Sequence, residues 1–277
     1  MKICFNQATT MKHSNLALDL EFCEVCGYDF IEIRLDKLRE YLLNHSVQEL
    51  FGFFANANLK PYSFNALEFI NFRNKAGFNE IKEGLEFCCE TGAIIGCHKT
   101  VVVPTFDIGP FTKTQIKEET VRVLHELSDI AAPCGMQLAF EFVGYPNCSV
   151  NTLEQAYDII AATDRDNVGI VLDCFHFHAM NSRWEALEAI DPAKLFIFHL
   201  DDSEDLPVGA LRDDKRLWPG EGAVDLARIF SILKAKGYHE MASIELFRPA
   251  YWDMDIGECI QTAYEKTKAV IAKHGLG

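Results

Sequence analysis

Eight short apolar runs punctuate this chain: KICFN (2–6), FIEIR (30–34), PYSFNAL (61–67), TVVVP (100–104), QLAFEFV (137–143), VGIVLD (168–173), LFIFHLDD (195–202) and ASIELF (242–247). Their length and their content of β-branched and aromatic residues read as buried strands. Helical patterns lie between them. Ser14 is placed to cap NLALDLEFCEVC, with Gly27 following. The stretch Thr112–Cys134 carries Ile116, Val121, Val123, Leu124, Leu127 and Ile130 at helical spacing. Thr152 caps LEQAYDIIAA, Asp225 opens LARIFSILKAK, and a last helix runs from about Ile256 to Lys273. Strand–helix alternation of this kind requires a parallel sheet with right-handed crossovers. Eight units in 277 residues close most economically into a single (β/α)8 TIM barrel spanning residues 1–277, a fold that needs about 250 residues. An open doubly wound sheet has less support, because no GxGxxG follows the first strand.

A net charge of -15 argues against nucleic acid or an anionic membrane surface as partner, since phosphate binding needs clustered Lys and Arg. It leaves room for an acidic cleft that holds a cation. MKICFNQATT lacks the apolar stretch of a signal peptide, and no run of about 18 apolar residues is present, so a cytoplasmic protein is expected. The ten cysteines are then expected to be reduced. Cys23 and Cys26 form a CxxC inside a helical pattern, and Cys88 and Cys89 are adjacent. No second pair supplies tetrahedral zinc spacing, so these read as ordinary thiols.

The C-terminal face of such a barrel carries the active site. Four consecutive strands end there in polar side chains: Glu141 in LAFEFVG, Asp173 in VGIVLD, His199 in FIFHLDD and Glu245 in SIELFRP. Adjacent strands lie about 4.8 Å apart, so the four can converge on one point. Clustered carboxylates repel and raise one another's pKa, a penalty that a divalent cation removes. Three oxygen donors and one nitrogen donor suit one fairly hard divalent metal ion: Mn, Mg, Co or Zn. Within IVLDCFHFHAM, alternation puts Val171, Asp173 and Phe175 on one face, so Asp173 points inward and His176 begins the following loop, better placed for substrate than for metal. Asn6 and Asn65 end strands one and three, where they can bond substrate hydroxyls.

EFVGYPNCSVNT, LDCFHFHAM, HLDD, WPGEGAVDL and IELFRP resemble the xylose-isomerase-like sugar isomerases and epimerases, and the likeness runs from KICFNQATT through the last helix. Within that superfamily the chain looks most like the inosose isomerases of myo-inositol catabolism. The resemblance implies a metal held by Glu141, Asp173, His199 and Glu245, with Glu141 and Glu245 as the catalytic pair on opposite sides of the reacting carbons. It implies substrate contacts from His176 and from an arginine after strand seven. Arg216 is the candidate, and Arg212 the less favoured one. Trp218, after the same strand, is expected to cover a face of the ring. The expected substrate is a small polyol ketone, 2-keto-myo-inositol, converted to 1-keto-D-chiro-inositol by proton transfer through an enediolate. Other enzymes of the superfamily are the alternatives: a hydroxypyruvate isomerase, a ketose 3-epimerase or an inosose dehydratase. The epimerases carry a further glutamate six residues after the strand-five ligand. Here that position is Asn147, which weakens the epimerase reading.

The same barrel hosts the endonuclease IV class, which needs several more histidines at strand ends. This chain ends strand two in Arg34, strand three near Asn65 and strand four in Pro104, and follows His199 with Leu-Asp-Asp. No nucleic-acid or membrane partner is therefore expected, and a homo-oligomer is left open. His98 and Lys99 precede strand four at the opposite, stability face and are set aside.

Overall fold

The computed structural model describes residues 1–275. Eight parallel strands close into a barrel: β1 (Lys2–Asn6), β2 (Phe30–Arg34), β3 (Lys60–Leu67), β4 (Lys99–Val102), β5 (Gln137–Glu141), β6 (Val168–Asp173), β7 (Leu195–His199) and, after a small hairpin of β8 (Asp202–Ser203) and β9 (Arg216–Leu217), β10 (Met241–Ile244). The order around the barrel is β1-β10-β7-β6-β5-β4-β3-β2, so β1 sits between β2 and β10 and leaves no open edge. The helices flank this barrel. Among the described residues no helix is long and apolar enough to cross a membrane.

Side chains alternate along each strand, and this fixes which residues look inward. On β5, Leu138 and Phe140 pack outward with the helices while Ala139 faces the barrel interior, so Glu141 follows inward. On β6, Ile170 and Leu172 pack outward and Val171 inward, which puts Asp173 inside. Ile197 brings His199 inside from β7 in the same way, and Met241 does so for Ser243 and Glu245 from β10. The register then aligns the ends, with Asp173 opposite His199, and His199 opposite Ser243.

Several local expectations need correction. Asn15, not Ser14, caps the first helix, its Oδ1 accepting the Leu18 N–H at 3.0 Å. The seventh strand stops at His199, and Asp202 belongs instead to the antiparallel β8–β9 hairpin. After Asp173 the chain forms no loop. It enters a short helix, Cys174–Ala179, capped by Asp173 itself, so His176 is helical and Phe175 leaves the barrel face to pack with Ala179 and Leu211. An aspartate before a turn of helix is the usual capping choice. Cys89 and Cys134 are joined as a disulfide, against the expectation of thiols throughout, because helix packing brings their Cα atoms to 5.8 Å. The remaining eight cysteines are free.

Gly92, in the helix Lys75–Ile95, lies where a Cβ would stand 2.1 Å from the Cys97 carbonyl oxygen, a backbone atom that cannot swing aside. Gly52, in the helix Val47–Asn56, faces open space. Overpacking against backbone costs about 1–3 kcal/mol or more, whereas Gly to Ala in an open helix position gains about 1 kcal/mol. Gly92→Ala is therefore expected to lower the melting temperature by roughly 3–10 °C and Gly52→Ala to raise it by roughly 2–4 °C. Thermal unfolding followed by circular dichroism measures both, and an unchanged melting point for Gly92→Ala would contradict the close packing.

Candidate active site

Glu141, Asp173, His199 and Glu245 are all buried at the mouth of the barrel, and one ligand atom from each lies within 4.8 Å of the others. His199 Nδ1 stands 3.0 Å from Glu141 Oε1, 3.2 Å from Glu245 Oε2 and 3.6 Å from Asp173 Oδ2. The other ring nitrogen, Nε2, lies 3.0 Å from Glu32 Oε1. Glu32 is fully buried on β2, where it also accepts hydrogen bonds from Ser63 at 2.6 Å and from Ser243. Glu32 thus orients the imidazole from behind, as a partner of a metal-ligating histidine does.

The four residues expected as ligands therefore converge. Three carboxylates around one buried histidine set the electrostatics. Burial, opposed by His199 and reinforced by Glu245 and Asp173, pushes the Glu141 carboxyl up to about 8. Burial alone would lower His199, but Glu245, Glu32 and Glu141 outweigh it and hold the imidazole well above its usual range. Burial would raise Asp173 too, yet Arg216, His176 and His199 keep its carboxyl well below the usual range. Such a donor set, oxygen-rich, dry and in excess negative charge, fits a divalent cation.

Arg216 is fully buried and meets only protein acceptors. Nη1 donates to Asp173 Oδ2 at 2.7 Å, to Asp201 and to the Glu245 carbonyl at 3.1 Å, while Nε donates to Asp213 Oδ1 at 2.9 Å. The β8–β9 pairing, with Ser203 opposite Arg216, folds this segment back over the mouth and delivers the guanidinium. Arg216 is the arginine that reaches the cluster, whereas Arg212 rests on the Tyr145 ring and bonds Gly209 and Leu211 carbonyls. The substrate contact expected of it is corrected, since its N–H groups organise carboxylates.

A cavity of about 180 Å³ opens onto the cluster. Its walls include Glu141, Glu245, His176, Asn65, Glu68 and Asp213, with Phe69, Val103, Phe106, Val143, Tyr145 and Phe247 supplying apolar surface. This is below the common range of about 300–1,000 Å³ for drug-sized ligands and suits a single small ring. His176 lines it with a defined tautomer. Arg216 Nη2, which can only donate, lies 3.1 Å from His176 Nε2, so Nε2 accepts and Nδ1 carries the hydrogen. That buried Nδ1–H has no hydrogen-bond partner.

Asn6 and Trp218 do not line the cavity, which corrects both as substrate contacts. The Asn6 amide donates to Glu245 Oε1 at 2.8 Å and to Glu32 at 3.2 Å, and its Oδ1 accepts the Ala8 N–H, so it positions carboxylates. Asn65 adds a second donor to Glu245 Oε1 at 3.0 Å. Trp218 stacks on Tyr251, ring centroids 4.0 Å apart, and packs into the layer between barrel and helices. Asn147 donates its amide to Asp107 and does not line the cavity. Glu32, Asp201 and Asp213 were not singled out by sequence. Glu32 alone carries a legible signal, being inward by alternation in FIEIR.

The xylose isomerase-like TIM barrel model matches residues 20–271. A protein from Bacillus subtilis (strain 168) named inosose isomerase is 50% identical over 99% of this chain and 99% of its own length. Its counterpart of the same name from Halalkalibacterium halodurans is 50% identical over 99% and 98%. A crystal structure of the IolI protein with a bound zinc atom superposes with a TM-score of 0.97 at 50% identity, covering 99% of both chains. A D-psicose 3-epimerase structure, at 18% identity and a TM-score of 0.75, shares the fold. The chain belongs to the xylose isomerase-like TIM barrel family.

Proposed function

We propose that this protein is a divalent-metal-dependent inosose isomerase that interconverts 2-keto-myo-inositol and 1-keto-D-chiro-inositol through an enediolate. The observation that carries the reading is the placement of Glu141 and Glu245. They enter one small cavity from β5 and from the end of β10, on either side of β6 and β7, with His199 and Asp173 between them. Full-length likeness to proteins named inosose isomerase supports the substrate class, and the zinc-bound relative supports a divalent ion held by Glu141, Asp173, His199 and Glu245. Such an ion supplies Lewis-acid polarisation of the ketone and a neighbouring hydroxyl.

The protein's own groups then divide the work. Moving a ketone to the adjacent carbon requires removing the hydrogen from the carbinol carbon and returning one to the former carbonyl carbon. Glu141 has one oxygen engaged by His199 and the other, Oε2, without a hydrogen-bond partner among the described residues, so it keeps an oxygen free to take up a proton. Glu245, whose Oε1 is held by the Asn6 and Asn65 amides, is the other member of the pair that exchanges protons with the two carbons. His176 donates its Nδ1–H to a substrate oxygen, and Arg216 locks the tautomer that makes this hydrogen available. Phe106, Val143 and Phe247 limit water at the reacting carbons. No Lys or Arg lines the cavity, so it offers an acid such as hydroxypyruvate no side-chain cation, while a neutral polyol needs none. The engagement of Asn147 by Asp107, outside the cavity, likewise disfavours 3-epimerisation.

Incubation with a divalent metal and 2-keto-myo-inositol in deuterated water, followed by NMR, tests the reading. Deuterium in a ring carbon together with a keto-chiro-inositol product is expected. Loss of water to a diketone would make the protein a dehydratase, and no exchange with any inosose would end the isomerase account. Glu141→Gln and Glu245→Gln should each reduce turnover by about 10²–10⁴-fold. A second expectation concerns the metal itself. Removing the Glu32 carboxylate as Glu32→Gln should weaken divalent-ion affinity roughly 10–100-fold, read by competition with a chromophoric chelator. Unchanged affinity would show that Glu32 does not support His199.

A further inference from the structure

Two carboxylates stand in the cavity wall outside the proposed metal-binding cluster. Glu68 follows β3 directly and is exposed at the mouth. No hydrogen bond or ion pair holds its side chain. Partial loss of solvent raises its carboxyl, and the nearby Asp36, Glu245 and Asp213 charges add to the rise while Arg34 opposes it. Asp213, from the turn before β9, binds Arg216 Nε through Oδ1, and its carboxylate is also engaged by the Tyr145 hydroxyl. The main-chain N–H of Asp213 donates to Tyr145 Oη at 2.7 Å, which ties this turn to the apolar wall. His176 lines the same cavity, is more than nine-tenths buried, and its Nδ1–H has no partner. The cavity wall thus carries the Glu68 carboxylate without a partner, the Asp213 carboxylate held from one side by Arg216 and Tyr145, and His176 with an unpaired donor, and among the described residues no Lys or Arg lines it. A buried polar group without a partner is costly, so a ligand oxygen that accepts from the His176 Nδ1–H removes that cost, while the Glu68 carboxylate exchanges water for a ligand hydroxyl.

We propose that Glu68 and Asp213 are specificity determinants that accept hydrogen bonds from substrate hydroxyls remote from the reacting carbons. The proposal rests on the isomerase reading for the identity of the ring and adds how the ring is read. A polyol ring carries hydroxyl donors on the side turned away from its ketone, and two carboxylates are the strongest acceptors a protein can offer them. A three-carbon ketone carries no ring hydroxyls to offer these acceptors. A ring lacking the remote hydroxyls forfeits the bonds to these acceptors and binds more weakly.

The test is a cycle of protein and ligand changes. Metal-loaded wild type, Glu68→Ala and Asp213→Asn are titrated calorimetrically with myo-inositol and with its monodeoxy analogues. Circular dichroism confirms folding of both variants. Deleting the hydroxyl read by Glu68 should weaken binding to wild type about tenfold and leave binding to Glu68→Ala unchanged, and a different hydroxyl should behave so for Asp213→Asn. If each variant loses the same factor for every analogue, or if no ring polyol binds, the proposal is overturned. Turnover of 2-keto-myo-inositol by wild type is measured separately. Coupling without turnover would keep the assignment of Glu68 and Asp213 while removing the isomerase reading.

Discussion

Five buried carboxylates, Glu32, Glu141, Asp173, Asp201 and Glu245, share the mouth of this barrel with His199, Arg216 and a neutral His176. Even with His199 protonated, negative charge exceeds positive. Ionised groups removed from water are tolerated only when they are paired, hydrogen-bonded or neutralised by an ion. The surrounding structure meets this demand in layers. Asn6, Asn65, Ser63 and Ser243 donate to glutamate oxygens, and Arg216 bridges Asp173, Asp201 and Asp213. What remains is a set of ligand atoms within 4.8 Å of one another, which a divalent cation completes.

The barrel makes this concentration of charge possible because its strands are parallel and in register. Each contributes its last inward position to the same rim, and helices on the outer face bury the alternate apolar residues. One element breaks the repeat. The β8–β9 hairpin interrupts the passage from β7 to β10 and carries Arg216 and Asp213 across the rim, so that one loop both steadies Asp173 and supplies part of the cavity wall. The helix that begins at Cys174 has a similar double effect. Asp173 caps it through Oδ1, accepting the His176 N–H at 2.6 Å, and turns Oδ2 toward Arg216 and His199.

Much of this was legible because strand periodicity and the site are the same pattern. Once VGIVLD is a strand with Val171 inward, Asp173 is inward, and the same step places Glu141, His199 and Glu245. What stayed hidden depends on contacts between residues far apart in the chain. Asp201 follows His199 in HLDD, where its partner Arg216 is fifteen residues away and arrives only through a two-residue strand pairing. Glu32 was open to the alternation argument, yet its role depends on His199, 167 residues further on. Trp218 shows the reverse error. Proximity to a strand end suggested the cavity, but the flat face of Tyr251 captures the indole outside it. Cys89 and Cys134 meet through helix packing that no spacing rule encodes.

The central claim is that one divalent ion completes the Glu141–Asp173–His199–Glu245 cluster. Anomalous X-ray scattering from crystals of the protein grown with manganese or zinc tests it most directly. The account predicts a single strong anomalous peak per chain, bounded by those four side chains, that disappears in His199→Ala crystals grown the same way. A peak elsewhere with this cluster empty, or a peak that survives the loss of His199 unchanged, would contradict it.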